Sequence, residues 1–185
     1  MTTTTSDRLH EHLAEGEGRH LRVLADIVVV KLTGAETNGA YSLVETRTPP
    51  LGGAAMLHTH PPQETFIILE GTYEFKGVGP DGPYAIRAGA GDMVHIAAGA
   101  SHSYQNVGDT PARSLLLFEP PGRMIGFFEE LHRAVNNADP LTAQAEDLPS
   151  LERTLAIFER YDVVVLPPAD GQPGNESVGR QVSHE

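Results

Sequence analysis

Between residues 22 and 118 the chain alternates short apolar runs with Gly, Pro and Asp: 22–32, 40–48, 54–60, 64–69, 73–77, 84–87, 92–96, 102–106 and 112–118. Nine runs of four to eleven residues, separated by turn residues, predict an all-β barrel or sandwich and not βαβ units. The turn signals agree: Gly77, Gly79, Pro80, Asp81, Gly82 and Pro83 form one cluster, and Gly89 with Gly91 another. After Pro120 and Pro121 the apolar period lengthens. Met124, Phe128, Leu131 and Val135 predict an amphipathic helix over 124–135 with those four side chains buried. Leu151, Leu155, Phe158 and Tyr161 predict a second helix with Ser150 near its start, and 162–166 is read as one more strand or an apolar anchor. The expected organisation is therefore a polar arm over 1–18, a β core over 19–120, helices packed on it over 121–166, and a flexible Pro/Gly/Asn/Ser tail over 167–185.

Composition narrows the chemistry. With 185 residues the chain suits one domain. A formal charge of −12, from 25 acidic and 13 basic residues, argues against a nucleic-acid surface or an anionic membrane as partner. Cysteine is absent, so a metal would be held by imidazole and carboxylate, and a reducing cytoplasm is the expected compartment. Residues 1–7 are a Thr/Ser run without a basic stretch leading into an apolar one, so neither a signal peptide nor a membrane span is expected.

Three ligand-type side chains crowd one segment. His58 and His60 alternate and so share a strand face, and Glu64 follows across Pro61, Pro62 and Gln63, a bend that would bring its carboxylate back to the same point. The competing reading, two surface histidines on an edge strand, fits poorly with the apolar neighbours Ala54, Ala55, Met56 and Leu57. Buried imidazoles and a buried carboxylate need partners, and a divalent cation would serve all of them. His102 follows the turn at 98–101 and shares a face with Tyr104 and Asn106. His10, His12, His20, His95, His132 and His184 are read as solvent-facing or ordinary core residues.

The spacing of Gly52, His58, His60, Glu64 and Gly71 resembles the first motif of the cupin superfamily. Gly91, Ala97, Gly99, His102 and Asn106 resemble the second, with Ala97 where the family usually has proline. The resemblance implies a jelly-roll-like conical β-barrel with one or two C-terminal helices. It also implies one divalent metal ion (iron, nickel, cobalt, manganese, copper or zinc) on His58, His60, Glu64 and His102. Glu64 has two readings, as ligand and as general base. Strand parity offers Met56, Phe66, Ile68 and Tyr104 as substrate-cavity residues, with Phe118 (or Leu115 and Leu117 if the register is opposite) and Phe127 or Phe128 from the first helix as further candidates; each is equally what a packed core would use.

The two motifs, the stretch 116–122 and the helix after it look most like the quercetinase-type dioxygenases among small cupins. That parallel implies dioxygen and a flavonol or similar aromatic enol as substrates, with Glu64 taking the enolic proton. Another cupin enzyme of aromatic metabolism, dioxygenase or cyclase, and a non-catalytic small-ligand-binding cupin are the alternatives. A homodimer is expected from the apolar segment 26–30 (DIVVV), read as an edge or face for self-association.

Overall fold

The computed structural model describes residues 11–137 and 139–167. Most of the expected arm (1–10) and nearly all of the expected tail (168–185) lie outside the described residues. The strands are β1 (Arg19–Val23), β2 (Asp26–Leu32), β3 (Ser42–Thr48), β4 (His58–Thr59), β5 (Gln63–Glu70), β6 (Thr72–Gly79), β7 (Gly82–Gly89), β8 (Met93–Ile96), β9 (His102–Asn106) and β10 (Ala112–Glu119). The helices α1 (Met124–Ala134) and α2 (Leu151–Arg160) follow, and then a two-residue strand, β11 (Val164–Val165).

The expected closed barrel is not what forms. Among the described residues two antiparallel sheets form, in the orders β1-β2-β3-β10-β5-β8 and β11-β4-β9-β6-β7, and no ladder joins an edge of one to an edge of the other. Their facing sides share one core in which Phe66 of β5 meets Phe75 of β6 and Tyr104 of β9 at ring separations of 4.8 and 4.9 Å. Alternation of apolar and polar residues reports which side chains point inward and is the same for a barrel and for a sandwich. Closure depends on edge pairing, which that pattern does not encode.

The single run read over 22–32 is a hairpin. Val23 pairs with Asp26, and Leu24 turns the chain with φ 53. Neither Gly nor Asn marks this turn, so the usual sequence signal is missing. The resulting β2 is bonded on both sides, to β1 and to β3, and Val28, Val29 and Val30 are buried. The DIVVV segment is therefore not an edge or a free face, and the dimer expectation loses its basis. At the β5–β6 corner Gly71 has φ 80, and a Cβ there would lie 2.5 Å from that of Ala112, so a side chain is excluded by both conformation and space.

Both helices form close to their expected limits. Ser150 caps α2 by accepting the Arg153 amide at 3.3 Å. The buried face of α2 is Thr154, Ile157 and Phe158, whereas Leu151 and Leu155 are exposed, so its expected apolar face is rotated. Helix α1 buries Met124, Phe127, Phe128, Leu131 and Ala134. Phe127 meets Phe158 at 5.1 Å and Tyr161 at 5.7 Å, which ties the helices together. Leu131, 1% exposed, is a sensitive reporter of this docking. Leu131→Ala is expected to destabilise the fold by about 2 kcal/mol or more in urea unfolding; an unchanged midpoint would mean that α1 is peripheral.

Candidate metal centre

The two sheets deliver ligand-type side chains to one buried point. His58 in β4 pairs across the ladder with His102 at the start of β9, and His102 pairs in turn with Gly77 of β6. Glycine is required at 77, since a Cβ would approach the Ser101 carbonyl oxygen to 2.7 Å and the Tyr84 hydroxyl oxygen to 2.5 Å. His60 leaves the end of β4, and the bend at Pro61 and Pro62 returns the chain into β5, where Glu64 sits opposite Phe118 and Ile96. His58 and His102 thus belong to one sheet and Glu64 to the other. Ligand nitrogens of His58, His60 and His102 all lie within 4.8 Å of one another.

Backbone carbonyls set the imidazole tautomers. His58 Nδ1 lies 2.9 Å from the Met56 oxygen, His60 Nδ1 2.9 Å from that of Pro62, and His102 Nδ1 3.0 Å from that of Ala100. A carbonyl only accepts, so each Nδ1 carries hydrogen and each neutral ring turns a bare Nε2 lone pair to the centre. Glu64 Oε2 lies 3.1 Å from His60 Nε2 and 3.3 Å from His102 Nε2. The second contact lacks hydrogen-bond geometry and leaves His102 Nε2 buried without a partner. Acceptors therefore face acceptors at a buried point, and only protons or a cation can reconcile them.

The electrostatics match. Burial, followed by the charge of His102, lowers His58 to about 4, so its ring is neutral at pH 7. Burial would raise Glu64, but the imidazoles of His102 and His60 beside it outweigh that and hold Glu64 at about 2. Burial would lower His102, and Glu64 overrides that to raise it. Imidazoles with pinned Nδ1–H groups, once any proton on Nε2 is released, and an ionised carboxylate are a donor set suited to a first-row divalent ion. The three-histidine cluster is consistent with one such ion.

A cavity of about 250 Å³ adjoins the cluster. Of the residues expected in it, Met56, Tyr104, Phe118, His58, His60, Glu64 and Phe128 do line it. Phe66 and Ile68 do not. They share the inward face with Glu64 but lie deeper along β5, 0% and 1% exposed, where Phe75 and Tyr104 from the opposite sheet cover Phe66. Sequence reasoning missed Leu24, Met124, Leu131, Phe158 and above all Asp26, which all line the cavity. Asp26 was taken as the start of an apolar strand; its partners Thr48 and Tyr104 are distant in the chain, so no local signal reveals it.

Burial first of all raises Asp26 to about 6, against the opposing pull of Tyr104, Thr48, the Gly53 amide and Arg22. A carboxyl whose pKa is raised by folding stabilises the fold below its unfolded value of 3.8, and that contribution is lost as pH rises through about 6. Ionised Asp26 at neutral pH is therefore a stability cost that the fold carries.

Protein loaded with one equivalent of cobalt, nickel or manganese and then desalted should retain one ion per chain by elemental analysis. His58→Ala and His102→Ala should each lose most of it. Occupancy should fall as pH drops, because protons compete for Nε2 first at His102, which is raised, and last at His58, which stays neutral down to about 4. Full occupancy in both variants would reject the assignment.

Residues 45–118 match the family model described as the cupin domain. Nothing among curated proteins matches the chain. Similar solved structures include an oxalate decarboxylase from Bacillus subtilis, with 19% identity and a TM-score of 0.50 over 60% of this chain and 31% of that one. The formate complex of oxalate decarboxylase from Lactobacillus farciminis is similar at 20% identity and a TM-score of 0.50, over 60% of this chain and 35% of that one. The chain thus covers about a third of the length of these proteins, and at such identity the likeness speaks for the fold alone. Residues 45–118 thus resemble the cupin domain and carry a three-histidine cluster able to hold one divalent metal ion.

Proposed function

We propose that the protein is a metal-dependent enzyme acting on a compact, ring-bearing molecule that presents an enolic or phenolic oxygen to the histidine cluster, in an oxygen-consuming reaction. The observation that carries this reading is the lining of the cavity. Leu24, Leu116, Phe118, Met124, Phe127 and Phe128 surround the approach to the cluster, and no Lys or Arg is among the lining residues. Such walls exclude water from an apolar ring and leave the cluster as the place where a substrate anion is neutralised.

Glu64, proposed as a fourth ligand or as the base, is the carboxylate in contact with the cluster. Held near 2, it accepts a proton readily only from an acidified oxygen. A divalent ion at the cluster would supply that acidification together with Lewis-acid and redox capacity. The pinned rings of His58, His60 and His102 keep the site geometry fixed, and Phe118, 5.9 Å from the His60 ring centre, packs against it.

Cavity size bears on the choice of substrate. About 250 Å³ lies just under the ~300–1,000 Å³ usual for drug-sized ligands, which favours one or two rings over a three-ring flavonol. The quercetinase-like reading is thus the upper limit of size, and a smaller aromatic enol is the better first candidate. Oxalate, the substrate named for the structurally similar decarboxylases, would gain little from these apolar walls and would find no cationic side chain among them.

The test supplies fully loaded protein with a one-ring hydroxypyranone, quercetin and oxalate in turn, and follows oxygen uptake with mass spectrometry of products. Turnover of the ring enol should exceed that of oxalate by at least about tenfold. Glu64→Gln should lower turnover by about a hundredfold or more, the scale of lost general-base catalysis. Preference for oxalate, or inert protein at full metal occupancy, would contradict the proposal.

A further inference from the structure

Away from the cluster the cavity is polar at one place. Apart from His58, His60 and Glu64, its lining side chains are apolar except for Asp26 and Tyr104. Asp26 opens β2 in one sheet and Tyr104 lies in β9 of the other, and they meet across the interior. The Tyr104 hydroxyl donates to Asp26 Oδ2 at 2.9 Å, and the Thr48 hydroxyl donates to the same oxygen at 3.2 Å. Behind them the Tyr73 hydroxyl donates to Thr48 at 3.1 Å. Every hydroxyl hydrogen in this chain of contacts is directed toward Asp26.

The consequence is an imbalance. Asp26 is 3% exposed, yet its Oδ1 completes no hydrogen bond, since the nearby Gly53 amide favours the carboxylate without reaching hydrogen-bond geometry. Buried carboxylate oxygens are rarely left so, because each unmet acceptor loses the hydration it had in the unfolded chain. Tyr104 has committed its hydrogen and has only lone pairs left to offer. The pair therefore presents acceptors to the cavity and no donor.

We propose that Asp26 and Tyr104 form a specificity element that accepts a hydrogen bond from a hydroxyl or amine on the substrate ring and repels a carboxylate placed there. This deepens the reading of the cavity as the substrate site and rests on it. A substrate bound through its enolic oxygen at the cluster then needs a donor on another part of its ring system. Acids such as oxalate are rejected by like charge as well as by the apolar walls.

Three hydroxypyranones that share one metal-binding enolone and differ at a single ring position provide the probe. Kojic acid carries a hydroxymethyl group there, allomaltol a methyl group and comenic acid a carboxylate. Their affinities are read at pH 8, where Asp26 is ionised, from the visible absorption of the cobalt-loaded protein, which reports the enolone end common to all three. Kojic acid should bind about tenfold more tightly than allomaltol, as a hydrogen bond to a charged group implies, and comenic acid should be the weakest.

In Asp26→Asn the side-chain oxygen stays with Tyr104 and Thr48, and the amide presents a donor where Oδ1 stood. The expected result is at least a tenfold gain for comenic acid relative to kojic acid, with allomaltol unchanged within about twofold. If that variant fails to fold, the wild-type ranking decides alone. Equal affinities for the three compounds, or comenic acid binding tightest, would overturn the role of Asp26 and leave the metal-anchored site standing. Absence of any spectral response to all three would overturn that reading and this inference with it.

Discussion

The site depends on one confrontation: three imidazoles with pinned tautomers and one carboxylate turn their lone pairs toward the same buried point. Backbone carbonyls of Met56, Pro62 and Ala100 hold the Nδ1 hydrogens, so the rings have no easy way to donate inward. Glu64 arrives from the opposite sheet and faces them at 3.1 and 3.3 Å. Without a metal ion only a proton, drawn to His102 by Glu64, relieves this confrontation; with one, the same atoms would crosslink the two sheets. Metal binding and fold stability are then coupled through the same few atoms.

Around that point the walls are mostly apolar. The unmarked turn at Leu24 brings a leucine to the cavity, and α1 and α2 add Met124, Phe127, Phe128, Leu131 and Phe158. The last described strand, β11, pairs Val165 with His58, and the Leu166 amide donates to the Leu57 carbonyl at 2.8 Å, so the segment after the helices fastens the strand that carries a ligand. Among the described residues no helix is long and apolar enough to cross a membrane. The apolar face of α1 and the Ile157–Phe158 side of α2 are directed at the core and the cavity, and Asp26, held buried at a cost in stability, is the polar exception.

Legibility in the sequence followed the range of the interaction. The His58–His60–Glu64 spacing and the turn before His102 are local, and these are residues the structure brings together. Helix limits were legible because capping and period are local too. Strand parity told which side chains of β5 point inward but not how deep each lies, so Phe66 and Ile68 were placed beside Glu64 when the opposite sheet already fills the space around them. Closure of the sheets, the internal position of β2 and the Asp26–Tyr104 contact all depend on pairings between distant segments. The 78-residue separation of that last pair leaves no trace in any window of sequence.

The central claim is that the rings of His58, His60 and His102 are fixed as Nδ1–H tautomers and offer Nε2 to one ion. Long-range proton–nitrogen correlation spectra of ¹⁵N-histidine-labelled, metal-free protein at pH 8 test it directly. Three rings should show the Nδ1–H pattern, and one equivalent of zinc should move the Nε2 resonances of those three and leave the remaining histidines in place. Nε2–H tautomers at these positions, or zinc shifts at other histidines, would contradict it.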